Sequence, residues 1–94
     1  MEPFKIAVID DEPIVCRETK RALVKEHYEV ETFTDAETAL QRFGRSAFDL
    51  ILCDLRLPGI DGLELLKTVR RHNPDCEVII ITAYSSVDTA IEAI

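Results

Sequence analysis

Short apolar runs alternate with amphipathic stretches along the chain. Residues 4–9, 48–53 and 77–81 form three apolar runs rich in aliphatic side chains. Runs of this kind are typical of strands that are covered on both faces, as in a parallel sheet. Residues 29–33 form a fourth run that is more polar, which favours a place at the edge of the sheet.

The clearest helical pattern lies between the runs at residues 29–33 and 48–53. Its apolar positions follow the i, i+3, i+4, i+7 spacing of a helix face: Ala36, Ala39, Leu40 and Phe43. Thr34 precedes this stretch and Glu37 follows three residues later, which is the spacing of a capping box. Gly44 comes directly after Phe43 and is expected to end the helix.

Three further helices are predicted. Pro13 begins the first, which ends near His27, and its inward positions are predicted as Val15, Cys16, Thr19, Ala22 and Leu23. A second spans residues 61–72 and stops at Asn73-Pro74, with Leu63, Leu66 and Val69 or Arg70 facing inward. The last carries an apolar stripe at Val87, Ala90, Ile91 and Ile94. Because no stop signal follows this stripe, we expect the chain to be cut within the helix.

Strands and helices therefore alternate in one small domain, residues 1–94. Such alternation predicts an α/β fold with an open, doubly wound parallel sheet and right-handed crossovers. In sheets of this kind, ligands bind outside the carboxyl ends of the strands, where the strand order reverses.

The composition excludes several classes of function. The formal net charge is −7, so direct binding to nucleic acid or to an anionic membrane is disfavoured. No apolar run approaches the roughly 20 residues of a membrane span, and no signal-peptide pattern opens the chain, so we expect a cytoplasmic protein. Three cysteines without a C-x-x-C pair are expected to be reduced core residues, and His27 and His72 to lie at helix ends.

Three aspartates are expected to meet at the carboxyl end of the sheet. Asp10 and Asp11 end the first strand and Asp54 ends the third. Their mutual repulsion should raise the pKa of at least one carboxyl group, and a hard divalent ion would relieve it. Few oxygen ligands with room for water favour Mg²⁺. The alternative is that Asp10 to Glu12 only complement the N-terminus of the following helix.

A second polar feature follows the fourth strand. Thr82 offers a hydroxyl donor and Ala83 an unobstructed backbone N–H, both suited to a phosphoryl oxygen. Thr82 lies 28 residues after Asp54, which fits one strand-helix-strand unit. A strand-terminal threonine can equally be a cap or turn residue.

Together, VIDDEP, DLILCDLRLPGIDGLELL and VIIITAYSSVDTAIEAI resemble the receiver domain of bacterial two-component response regulators. The last two stretches are most similar to receivers of the nitrogen-regulation class of enhancer-binding transcription activators. The resemblance implies a flavodoxin-like sheet of strand order 2-1-3-4, here without the fifth strand and fifth helix. It also implies that Asp54 accepts a phosphoryl group from a sensor histidine kinase. It implies Mg²⁺ bound by Asp11 and Asp54 directly, by the Arg56 backbone carbonyl and by Asp10 through water, with Thr82 and Ala83 contacting the phosphoryl group. The implied partners are the kinase and either an output domain, one for transcription above all, or another receiver.

The chain departs from this family at its C-terminal side. Receivers have a fifth strand, a fifth helix and a lysine after the fifth strand, and none of the lysines here matches that position. Loss of the fifth strand would expose residues 78–81 and an apolar strip on the Pro13 helix. We therefore expect a product of this length to dimerise, swap or aggregate, unless further chain exists.

Two other functions remain open from the sequence. One is a Mg²⁺-dependent phosphatase of the haloacid dehalogenase kind, although Arg56 replaces the second aspartate of its D-x-D motif. The other is a receiver-like interaction module that signals without phosphorylation, which the missing lysine allows. The receiver itself is expected to be a signalling phosphoacceptor rather than an enzyme that turns over a substrate.

Overall fold

The sheet has the predicted order. The computed structural model describes residues 3–45, 47–54, 56–57 and 60–81. In these residues the main sheet has four parallel strands: β1 (Lys5–Ile9), β2 (Glu29–Phe33), β3 (Leu50–Asp54) and β4 (Glu77–Ile81), arranged β2-β1-β3-β4. The helices are α1 (Pro13–Lys25), α2 (Ala36–Phe43) and α3 (Gly62–His72). The helix predicted at Val87 to Ile94 lies outside the described residues.

The register of the ladder brings the strand ends level with one another. Ile9 pairs with Cys53 and with Phe33, and Asp54 pairs with Ile81. Since all four strands run in the same direction, their carboxyl ends form a single rim of the sheet. The more polar β2 lies at one edge of the sheet, as its sequence predicts.

Helices cover both faces of the sheet. On one face, α2 and α3 pack on the alternate strand residues in a cluster of Ala7, Ile9, Phe33, Ala36, Ala39, Phe43, Phe48, Ile51, Cys53, Leu65, Val69 and Cys76. On the other face, Cys16 of α1 packs with Ile6, Val8 and Val30. Three phenylalanines of the larger cluster, Phe33, Phe43 and Phe48, meet edge to face, with centroids 5.3–6.4 Å apart.

The start of α2 corrects the capping prediction. Asp35, and not Thr34, is the N-cap, and its carboxylate accepts the Thr38 N–H at 2.7 Å and the Thr38 hydroxyl at 3.0 Å. Threonine and aspartate can both act as an N-cap. Here the N-cap is Asp35, which lies three residues before the Thr38 N–H that it binds. At the other end, Gly44 is the C-cap but has ordinary right-handed helical φ and ψ angles.

The C-terminal end of α1 differs from that of α2, because it includes a residue in the left-handed conformation. His27 has a positive φ of 68°, and the N–H groups of His27 and Tyr28 donate to the carbonyls of Val24 and Leu23. This is the Schellman arrangement, in which a left-handed residue turns the chain out of the helix. The expectation that His27 lies at a helix end is therefore confirmed.

Two predicted helix faces need correction. On α3, Leu65 is buried together with Val69, whereas Arg70 is exposed. Leu65 and Val69 are four residues apart, which fits a helix face as well as the predicted set Leu63, Leu66 and Val69 or Arg70 does. The packing of α3 against α2 determines that Leu65 is the residue buried. On α1, Cys16 is buried and Leu23 half-buried, but Val15 and Ala22 are exposed.

Several apolar side chains remain exposed in the described part of the chain. On β4, Ile79 is 50% and Ile81 48% exposed, and on α1 Ile14 is 65% and Val24 47% exposed. These positions belong to the two regions for which the sequence predicts uncovered apolar surface. Among the described residues, none of the helices combines the length and the apolar character that crossing a bilayer requires.

A short antiparallel hairpin, Arg56–Leu57 with Ile60–Asp61, connects β3 to α3. Pro58 and Gly59, which come between these two segments in the sequence, lie outside the described residues. The sequence analysis does not predict the hairpin. Asp61 belongs to this hairpin, so α3 begins one residue later than predicted, at Gly62.

Candidate functional site

The aspartates lie at the rim formed by the carboxyl ends of β1 and β3. Asp10 directly follows Ile9, the last residue of β1, and Asp54 is the last residue of β3. Because Ile9 pairs with Cys53, the next residues of the two strands lie side by side. Asp11 follows in the turn that leads into α1.

The three carboxylates converge as predicted. One carboxylate oxygen from each of Asp10, Asp11 and Asp54 lies within 4.8 Å of the other two. Asp10 and Asp54 are half-buried, and Asp11 is exposed. Three oxygen donors at one open corner of the sheet form a set that a divalent cation with several water ligands can use.

The surroundings of Asp10 raise the pKa of its carboxyl group. Burial raises the pKa of the Asp10 carboxyl group above its ordinary value of 3.8, and the charges of Asp54, Asp11 and Glu12 raise it further. The hydrogen bond from the Glu12 N–H opposes this shift. The donor set therefore fits a hard cation both in its chemistry and in its charge, because a cation would stabilise all three ionised groups.

The geometry does not favour the alternative in which these acids only cap α1. The N-cap residue is Glu12, and it makes no side-chain hydrogen bond to the helix. The Asp10 carboxylate accepts the N–H of Glu12 itself, at 2.9 Å, which orders the turn before the first helical residue. The acids thus face one another across the rim as a cluster.

Comparison with known proteins then assigns the family. A family model described as the response regulator receiver domain matches residues 6–94. The chain is a response regulator receiver domain. Its similarity covers nearly the whole sequence, and it favours the receiver interpretation over the phosphatase alternative.

Similar proteins of known function and structure agree with this assignment. The transcriptional regulatory protein ZraR of Klebsiella oxytoca is 41% identical over 93 residues, which are 99% of this chain and 21% of ZraR. A CheY-like receiver domain protein from Methanospirillum hungatei superposes with a TM-score of 0.85 and 31% identity, over 96% of this chain and 72% of that one. The relation to a transcriptional regulator agrees with the resemblance to nitrogen-regulation-type receivers.

A third relative, the response regulator TrrA of Thermotoga maritima, has been solved in two complexes. The complex with Mg²⁺-BeF has a TM-score of 0.80 and 37% identity, over 95% of this chain and 79% of TrrA. The complex with the histidine kinase ThkA has a TM-score of 0.79 and 39% identity, over 87% of this chain and 71% of that one. The receiver domain described here spans about a fifth of the length of the curated relatives it matches.

The receiver's cysteines are core thiols, as predicted. Cys16, Cys53 and Cys76 are all buried and free. Burial raises the pKa of the Cys53 thiol to about 12, with the charges of Asp54 and Asp10 adding to the effect, and burial raises that of Cys76 to about 11. Both thiols therefore stay protonated at neutral pH and are poor nucleophiles and poor metal ligands.

Cys16 has a contact with the site that the sequence does not predict. Its Sγ lies 3.3 Å from the carbonyl oxygen of Asp10 and 3.6 Å from that of Phe33. The only signal in the sequence is position, because Cys16 is the first inward-facing residue of α1 and therefore packs beneath the turn that carries Asp10 and Asp11.

The remaining predicted site residues are placed only in part. Thr82 and Ala83 lie outside the described residues, although Ile81, the residue before Thr82, pairs with Asp54. The backbone of Arg56 lies in the first strand of the short hairpin, two residues beyond Asp54. Whether its carbonyl is a metal ligand remains a prediction.

Proposed function

We propose that this receiver domain accepts a phosphoryl group on Asp54 from a sensor histidine kinase, with Mg²⁺ bound at the acidic cluster. The observation that carries the proposal is the convergence of Asp10, Asp11 and Asp54 within 4.8 Å at the carboxyl rim of the sheet. Acidic clusters are common on protein surfaces, so the cluster alone does not indicate a function. It supports the proposal because the chain belongs to the receiver family.

The cation would be held by the Asp11 and Asp54 carboxylates, with the Arg56 carbonyl as a further ligand and Asp10 bonded through water. When bound, Mg²⁺ would neutralise the charge of the acceptor and of the incoming phosphoryl group. The raised pKa of the Asp10 carboxyl group, caused first by burial and then by the neighbouring charges, supports this role, because a cation would stabilise the ionised groups.

The chemistry is the transfer of one phosphoryl group between two nucleophiles. A carboxylate oxygen of Asp54 attacks the phosphorus of the kinase phosphohistidine, the O–P bond forms and the P–N bond breaks. The imidazole leaves with the electron pair of that bond and takes up a proton from water. The Thr82 hydroxyl and the Ala83 N–H would donate to phosphoryl oxygens, because Ile81 brings the chain to the same rim as Asp54.

The partners and the output follow from the relatives. TrrA forms a complex with a histidine kinase, and ZraR is a transcriptional regulatory protein. We propose that phosphorylation of Asp54 shifts a two-state equilibrium of this domain and thereby switches an attached output activity, transcription above all. The receiver would act in the cytoplasm, where its kinase partner presents the phosphohistidine.

The test is phosphorylation by a small phosphodonor, acetyl phosphate, in the presence of Mg²⁺. The chain should gain the mass of one phosphoryl group, and Asp54→Asn should gain none. Asp75→Asn is the matched control, because Asp75 is exposed and precedes the amino end of β4, whereas the cluster lies at the carboxyl end of the strands. This variant should be labelled as the wild type is.

Two outcomes would contradict the proposal. Equal labelling of wild type and Asp54→Asn would show that the acceptor is another residue. Labelling of neither, with Mg²⁺ binding intact, would favour the phosphorylation-independent interaction module. Omission of Mg²⁺ should slow the labelling of the wild type strongly.

A further inference from the structure

Asp10 is anchored through three different groups. Its N–H donates to the Phe33 carbonyl at 3.0 Å, which extends the β1–β2 ladder by one residue. Its carboxylate accepts the Glu12 N–H, and its carbonyl oxygen accepts the Cys16 thiol at 3.3 Å. The first contact is between main-chain groups and the second uses the Asp10 side chain itself, whereas the third depends on the side chain at position 16.

The carbonyl of Asp10 belongs to the same planar peptide unit as the N–H of Asp11. A donor that holds this oxygen therefore also fixes the direction in which the chain enters Asp11. Within the described residues no hydrogen bond to the Asp11 carboxylate is found, and Asp11 is exposed. The position of this carboxylate thus depends on its backbone more than that of Asp10 does.

The thiol is well placed to hold the oxygen. Cys16 is 4% exposed, so its thiol is held in the core, where the Asp10 carbonyl is one of its two hydrogen-bond acceptors. Its Sγ also lies 3.6 Å from the Phe33 carbonyl, so the thiol sits between the last residue of β2 and the first residue after β1. It connects α1 to both strands beneath the acidic rim.

We propose that Cys16 is a positioning residue of the acidic cluster, whose thiol holds the peptide between Asp10 and Asp11 and so orients the Asp11 carboxylate toward Asp54. Cys16 is neither a metal ligand nor a nucleophile in this role. The metal-binding part of the test rests on the proposed function, whereas a second readout is made on the metal-free protein.

The experiment compares three substitutions at one position. Cys16→Val removes the donor and fills the site with a somewhat larger apolar side chain, Cys16→Ala removes the donor and reduces the volume, and Cys16→Ser keeps a donor in a smaller side chain. Cys76→Val is the matched control, since Cys76 is 2% exposed and its Sγ lies 3.5 Å from the Glu77 carbonyl at the amino end of β4, away from the acidic rim. Loss of a buried thiol there should cost stability without touching the cluster.

The first readout is the affinity for Mg²⁺ alone, by isothermal titration calorimetry. We expect Cys16→Val and Cys16→Ala to bind Mg²⁺ about 3- to 10-fold more weakly than the wild type does. This loss is near or below the smallest effect usual for groups that orient metal ligands, because a thiol is a weak hydrogen-bond donor. Cys16→Ser and Cys76→Val should bind as the wild type does.

The second readout is the amide resonance of Asp11 in the metal-free protein, recorded by ¹H–¹⁵N NMR. It should move in Cys16→Val and Cys16→Ala, stay near its wild-type position in Cys16→Ser, and not move in Cys76→Val. If Cys16→Val does not fold, the comparison of Cys16→Ala with Cys16→Ser decides in the same way.

The inference would be overturned if Cys16→Val kept both the wild-type Mg²⁺ affinity and the wild-type Asp11 resonance. It would also be overturned if Cys76→Val or folded Cys16→Ser lost as much Mg²⁺ affinity as Cys16→Val does. Failure of the wild type to bind Mg²⁺ would instead contradict the proposed function. The Asp11 resonance would then still decide the role of Cys16.

Discussion

Neutralising Asp10 should stabilise the metal-free fold. Asn is nearly isosteric with Asp, and its side-chain oxygen can still accept the Glu12 N–H that the Asp10 carboxylate accepts at 2.9 Å. What Asp10→Asn removes is one charge from a cluster whose oxygens lie within 4.8 Å of one another. The substitution therefore separates the electrostatic cost of the site from its hydrogen bonding.

The size of the effect follows from Coulomb's law. Two unit charges 4.8 Å apart repel by about 0.9 kcal/mol in a medium like water and by about 3.5 kcal/mol at an effective dielectric of 20. Asp10 has two such neighbours, of which Asp11 is exposed and Asp54 half-buried. Taking the lower value for both gives a minimum of about 2 kcal/mol. Loss of the charge-assisted part of the bond to Glu12 offsets about 0.5–1 kcal/mol, which leaves a net gain of about 1 kcal/mol.

The assay is urea unfolding followed by far-UV circular dichroism, first with a chelator and then with Mg²⁺. In chelator, Asp10→Asn should be more stable than the wild type. With Mg²⁺ the order should reverse, because ligand at 100 times its dissociation constant stabilises the wild type by about 2.7 kcal/mol and the variant by less. Asp75→Asn should show neither effect. A variant no more stable than the wild type in chelator, or a difference that Mg²⁺ leaves unchanged, would refute the reasoning.

Three further substitutions test the scaffold. Val69→Ala, at a side chain that is 0% exposed, should lower the free energy of unfolding by about 2 kcal/mol, and a loss below about 0.5 kcal/mol would contradict its place in the core. Glu31→Gln should cost about 0.5–1 kcal/mol at pH 7, because hydrogen bonds from Arg42 and the charge of Lys5 hold the pKa of the Glu31 carboxyl below its ordinary value of 4.5. A group with a lowered pKa loses its contribution as pH falls, so the difference between wild type and Glu31→Gln should shrink below pH 4.5; a gap that persists there in urea unfolding would contradict the ion-pair explanation. His27→Gly should raise stability by about 0.5–1 kcal/mol, since the positive φ of 68° suits glycine, and a lower thermal midpoint would argue against the Schellman assignment.

The sheet and the acidic cluster are predictable from the sequence because both follow from short-range signals. The apolar runs give the strands, and alternation with helices gives parallel pairing, which places Asp10 and Asp54 at the same rim. The strand order itself came from the resemblance to a known family. Physical pattern alone does not decide whether β3 adds beside β1 or beside β2.

The corrections concern choices between neighbouring residues that tertiary packing makes. Thr34 and Asp35 are both able to cap α2, and only the turn of the chain after Phe33 decides that Asp35 does so. Leu65 and Leu66 are adjacent, and contact with α2 selects the former for the core. The contact of Cys16 with Asp10 has no residue-type signal, since a buried cysteine looks the same wherever it packs.

The position of β1 between β2 and β3 also sets the order in which the sheet can assemble. During synthesis, β1, α1 and β2 emerge before β3, so the first parallel pair can form while the aspartate of the third strand is still absent. The charge of Asp54 joins those of Asp10 and Asp11 only when β3 docks on the other side of β1. The cluster therefore gains its third carboxylate late in sheet formation. Cellular divalent cations would then act mainly on how long β3 stays docked.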